Sequence, residues 1–140
     1  GWRMEESQNR APTELGADER YKAFFERFNQ QAFFEAHEVL EQLWLEQRQD
    51  AQAGFYKGLI QLAGAFVHLQ KSRPGPAIAL LGRSRDLLQA YAPVNQRLDV
   101  RALLHWMDAL LAQLRAGAPP KTILETKAPL RIELMKSESR

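Results

Sequence analysis

The sequence contains no cysteine. That excludes a disulfide framework, a zinc ribbon, an iron–sulfur cluster and a cysteine nucleophile, and it fits a reducing compartment. No apolar run approaches the roughly 20 residues of a membrane span. The opening GWRMEESQNR lacks the apolar stretch and small-residue cleavage site of a signal peptide, so a cytoplasmic protein with no membrane association is expected. A large excess of one charge is also missing. Residues 1 to 116 carry 14 basic and 14 acidic side chains, and the net +2 comes from the segment after 116. With no domain-wide positive field to attract a phosphate backbone, nucleic acid is not an expected partner. Glycine-rich phosphate loops, nucleophile elbows and paired catalytic carboxylates are absent as well. What is present is 140 residues, 45% hydrophobic and 26% charged. A chain of this length makes one domain and buries about two-thirds of its unfolded surface without a metal or disulfide to hold it.

Helical periodicity dominates the chain. Residues 1 to 17 mix charge, Pro and Gly without period and read as a flexible N-terminal arm. Tyr21, Phe24, Phe25 and Phe28 then mark a first helix over 18–28. Asn29 offers a cap to a second over 30–48, QQAFFEAHEVLEQLWLEQ, which lacks Gly and Pro. Asp50 offers a cap to a third, ended by SRPGP at 72–76. A fourth helix is expected over 76–91, with Pro76 in its first turn. A fifth follows Asp99, with Leu103, Met107, Leu110 and Leu114 inward, and stops at Gly117 and Pro119. TILE and LRIEL near the end alternate apolar and polar without partner strands elsewhere, so an extended strap is expected there.

A helical projection at about 100° per residue places His37 and Glu41 among Phe34, Trp44, Phe33 and Leu40, within about 60° of His37. Gln31, Glu35, Gln42 and Glu46 take the opposite, wet side with Glu38 at its edge. The third helix sets Gln61 and His68 on one face with Gly54, Gly58 and Ala65. Small residues allow close helix approach, which suits packing of this face against His37 and Glu41. Such groups must pair with one another or bind something, since an unpaired buried member costs about 1–3 kcal/mol.

Two readings follow. In one, Glu41 orients His37 and Gln61 bridges to His68 in a buried network that fixes helix register. In the other, His37, Glu41 and His68 ligate a divalent ion such as zinc, manganese or iron, with Glu38 as general base and Gln61 or Tyr56 orienting substrate. The spacing HExxE falls short of the metalloprotease HExxH. His105 projects to the polar side of the fifth helix. The aromatic set from Phe24 to Phe66, Phe34 and Trp44 included, sits at core spacing. Arg83, Arg85, Arg97 and Arg101 read as a solvated face, with recognition of an anionic partner as the alternative.

The stretches FNQQAFFEAHEVLEQLW, GFYKGLIQLAGAFVH and GPAIALL resemble the small helical proteins grouped as domain-of-unknown-function family 309, over about residues 28 to 90. The motif positions fall on Phe28, Asn29, Phe33 to Glu38, Glu41, Trp44, Gly58 to Ala63 and His68. The resemblance implies a compact all-helical bundle of bacterial and plastid type and carries no established activity. SRPGP stands where that family has a Gly-Asn type turn, and Ala53 stands where a basic residue is common.

The expectation is an all-α, single-domain bundle of about five helices with an extended C-terminal tail: arm 1–17, bundle 18–117, strap 118–140. The favoured function is a binding or interaction module with a buried His/Glu/Gln network, whose partner is a protein or small molecule, with homo-oligomerisation left open. The alternative is a metal-dependent hydrolase or lyase acting on a small molecule through His37, Glu41 and His68.

Overall fold

Four aromatic side chains from four helices meet at the centre of the molecule. Phe28 lies 4.8 Å from Phe33 and 5.2 Å from Phe66, ring centre to ring centre, and Trp106 stacks on the far side of Phe66. The computed structural model describes residues 16–125 and 132–136. The arm expected over 1–17 lies almost wholly outside them.

Helix α1 runs Ala17–Asn29, and its first turn is closed by Glu19, whose carboxylate accepts from the Gly16 N–H at 3.0 Å. Its end is a Schellman turn. Ala32 N–H donates to the Arg27 carbonyl, Gln31 N–H donates to the Phe28 carbonyl, and Gln31 takes φ 63°. Helix α2 therefore starts late, at Phe33, and runs to Glu46 with no side-chain cap. Asn29, expected to cap it, is instead the last residue of α1. The buried Arg20 of α1 ties the two helices by a two-pronged pair to Glu46, at 2.7 and 3.0 Å.

Helix α3, Ala53–Gln70, is the central element, packed between α2 and α4, Pro74–Leu88. Asp50 closes an Asx turn onto the Gln52 N–H at 2.7 Å just before it. A Cβ at Gly58 would sit 2.8 Å from the Leu88 side chain, so only glycine lets α4 approach this closely. The buried Ser84 hydroxyl donates to the Gly58 carbonyl at 2.6 Å across the same contact.

A short 3₁₀ turn, Gln89–Tyr91, follows α4 and leads into an element the sequence reading lacks. Strands β1, Val94–Asn95, and β2, Leu98–Asp99, pair antiparallel with Val94 opposite Asp99. Gln96 and Arg97 form the turn with φ 45° and 65°, a two-residue hairpin of primed type made without glycine. Asp99 then caps α5, Val100–Arg115, accepting from Ala102 N–H at 2.9 Å as expected. Gly117, at φ 96°, stops it.

Pro120–Glu125, expected in extended form, is a short helix, α6, whose buried Ile123 joins the core. Alternation over so few residues does not separate a strand from one helical turn with a single buried position. Residues 132–136 are neither helix nor strand. The Asn29 side chain holds the Ile132 backbone from both sides at 2.7 Å, and Met135 exchanges two hydrogen bonds with Arg97. The described residues thus form an all-α bundle of six α-helices with one two-stranded hairpin.

Candidate functional site

The antiparallel register of α2 and α3 is set by three contacts. Gln70 donates to the Gln31 carbonyl at 3.0 Å, Phe33 lies 5.0 Å from Phe66, and the Lys57 ammonium lies 4.8 Å above the Trp44 ring. His37 consequently stands about level with Gly64, between the levels of Gln61 and His68. All of these residues are partly exposed, His37 beside the α2–α3 seam and Gln61 and His68 on the side of α3 that carries Gly54 and Gly58, where Tyr91 and Leu88 pack.

The seam is more open than the projection implied. The buried positions of α2 are Phe33, Ala36, Val39, Leu40 and Leu43, which lie about 40° to 160° to one side of His37. His37 is 29% exposed, Glu41 42% and Phe34 52%. Phe34 is a surface residue, not core, and its ring stacks on His37 at 5.9 Å. Half-exposed Phe34 and Leu45 widen the apolar sector in sequence and pull its apparent centre onto His37.

The interactions within this set are few. His37 Nε2 stands 3.9 Å from Glu41 Oε1, an ion-pair distance too long for a hydrogen bond. His37 Nδ1, Gln61 Oε1 and His68 Nδ1 are each buried and without a hydrogen-bond partner. Glu38 is exposed. Among the described residues no three His, Asp or Glu side chains come close enough to hold a metal ion. His37 and Glu41 stand one turn apart on α2 and His68 stands on α3. A shallow depression of about 640 Å³ over the α2–α3 link, lined by Leu45 to Asp50, lies beyond the last turn of α2 and holds none of these groups.

Tyr56, expected beside Gln61, belongs elsewhere. It is buried in a second polar set that sequence reasoning missed, between the start of α3, α1 and the hairpin. Gln52 Oε1 accepts from Asn95 Nδ2 at 2.6 Å and from Gln96 Nε2 at 2.7 Å, and Gln96 Nε2 also reaches the Tyr56 hydroxyl at 3.0 Å. Tyr21 donates its hydroxyl to the Gln96 carbonyl at 2.7 Å. Burial, and then the neighbouring Tyr56, push the Tyr21 phenol well above its ordinary range. No sequence signal marks this set, because it exists only once the hairpin folds over α3. Of the arginines expected to be solvated, Arg85 grips Asp108 with both arms of its guanidinium, and Arg97 holds the Met135 carbonyl.

The described residues form a small all-helical domain. Residues 21–80 match the family model described as "Domain of unknown function (DUF309)", so the resemblance read from the FFEAHE and GLIQLA motifs is shown over that stretch. A similar protein is "Uncharacterized protein YpuF" of Bacillus subtilis (strain 168). It is 32% identical over 94 residues, covering 66% of this chain and 54% of the relative, so the chain spans about half the length of that protein. No solved structure matches.

Proposed function

We propose that this domain is a binding module whose recognition surface is the outer α2–α3 seam. His37, Gln61 and His68 supply hydrogen bonds there, and Phe34 supplies apolar contact. The observation that carries this reading is that three buried polar atoms of α2 and α3 have no hydrogen-bond partner among the described residues, His37 Nδ1, Gln61 Oε1 and His68 Nδ1. Buried polar groups are otherwise almost always paired, and an unpaired one costs stability unless a partner arrives. No helix of the described residues is long and apolar enough to cross a membrane, which agrees with a partner met in solution. Among the described residues a hydrolase or lyase reading has no group of three His, Asp or Glu side chains placed to hold a metal ion behind it.

The test needs no knowledge of the partner. If these atoms await a ligand, replacing them by apolar groups of similar size raises the stability of the free protein. Gln61→Met and His68→Leu, made singly, are expected to melt a few degrees higher than the wild type by calorimetry. Lower melting for both would mean that the polar atoms hold the fold together and would remove the basis of the reading.

A further inference from the structure

Phe34, Glu38, Glu41 and Leu45 are spaced i, i+4, i+7, i+11, and on an α-helix they fall in one sector about 60° wide. Phe34 is 52% and Leu45 48% exposed, Glu38 is exposed, and Glu41 is partly exposed. The outer ridge of α2 is therefore a straight line about 16 Å long with an apolar residue at each end and two carboxylates between. Heptad seams have this spacing, and no other described segment covers the two apolar ends. Glu38 makes no ion pair among the described residues, and the one cation near Glu41 is His37, 3.9 Å away if protonated. Arg48 and Lys57 lie over the face of Trp44.

We propose that this ridge docks a basic amphipathic helix of a partner protein, with apolar side chains at i and i+11 and Lys or Arg at i+4 and i+7. The partner's two cations meet Glu38 and Glu41 while its apolar ends cover Phe34 and Leu45. The spacing reads the same in both directions, so parallel and antiparallel docking are equally matched. A second copy of this chain is the wrong occupant, because either pairing of two ridges sets glutamate against glutamate. The inference rests on the binding-module reading and names its partner class.

The probes are two synthetic helices of about five turns, one with Leu at i and i+11 and Lys at i+4 and i+7, the other with Glu in place of Lys. Titration calorimetry is expected to show the wild type preferring the Lys peptide by at least about tenfold, a preference that weakens with salt. The double variant Glu38→Lys, Glu41→Lys is expected to reverse that preference. Phe34→Ala and Leu45→Ala, both at exposed positions with melting unchanged, are each expected to weaken binding about tenfold. Equal binding of both peptides, binding of neither, or no reversal in the double variant overturns the proposal. Self-association of the wild type that Phe34→Ala abolishes would give the ridge to a second copy and overturn it equally. Gln61 and His68 lie on α3, off the ridge. Raised melting of Gln61→Met without peptide binding therefore defeats the ridge alone, whereas lowered melting defeats the seam reading beneath it.

Discussion

Helix α3 carries two polar sets of similar chemistry and opposite fate. Gln52 and Tyr56, in its first turns, share their polar atoms with Tyr21, Asn95 and Gln96 at 2.6 to 3.0 Å. Gln61 and His68, further along, keep a buried carbonyl oxygen and a buried ring nitrogen with no partner at all, as does His37 across the seam. What differs is the cover. The hairpin Val94–Asp99 folds over the first set and supplies the missing donors, while the buried atoms of the second are covered by groups that do not pair with them. One helix thus shows the same residue types as finished structure at one end and as unfilled hydrogen-bonding capacity along its outer side, and the sign of a substitution should differ between them.

The largest effect is expected where the network is complete. Gln52→Leu strips the acceptor from both Asn95 and Gln96, and equilibrium urea unfolding should show a loss of about 1–3 kcal/mol. Gln61→Leu, the same exchange three turns on, should leave stability unchanged or raise it by up to about 1 kcal/mol. A loss at both positions would erase the distinction between the two sets. The completed set also predicts a pH response. The Tyr21 phenol has a folded value raised by burial, so its neutral form is the one the fold favours. Its contribution is whole below the unfolded value of about 10 and is lost as pH rises toward the folded one. Melting temperature should fall above about pH 10, and Tyr21→Phe, less stable at neutral pH, should show a shallower fall.

Much of this was legible in the sequence, and the failures have physical causes. The five long helices follow from apolar period and from Asp99 and Gly117, whose roles depend only on near neighbours. The rotation of α2 did not follow, because Phe34 and Leu45 are apolar yet exposed and shifted the apparent centre of the buried stripe by about a quarter turn. A projection assumes that apolar means inward, and that fails where large apolar side chains such as Phe34 and Leu45 stay exposed. The hairpin was hidden because its turn uses Gln96 and Arg97 with no glycine. Tyr56 was drawn into the wrong set because its true partners are 40 residues away. His37, Gln61 and His68 each keep a buried polar atom with no hydrogen-bond partner among the described residues, a property of packing that no spacing encodes.

The smallest expected effect separates the two ends of α3 by backbone strain. Gln96, in the covered hairpin, and Ser72, two residues past the seam end of α3, both hold positive φ, at 45° and 57°, where a side chain costs about 1–2 kcal/mol relative to the right-handed region. Ser72 sits at the C′ position of a Schellman turn, with Ser72 N–H donating to Leu69 and Arg73 N–H donating to His68, so the place suits glycine. No hydrogen bond of the Ser72 hydroxyl is found among the described residues, and Ser72→Gly should stabilise by about 0.5–1 kcal/mol. Gln96→Gly relieves the same kind of strain but removes the amide that reaches Gln52 and Tyr56, and should show no gain or a net loss. Denaturant midpoints of the two variants moving in opposite directions would mean that Gln96 is kept in an unfavourable conformation for its hydrogen bonds. A gain of equal size at both sites would mean that the network contributes less than the strain of holding it.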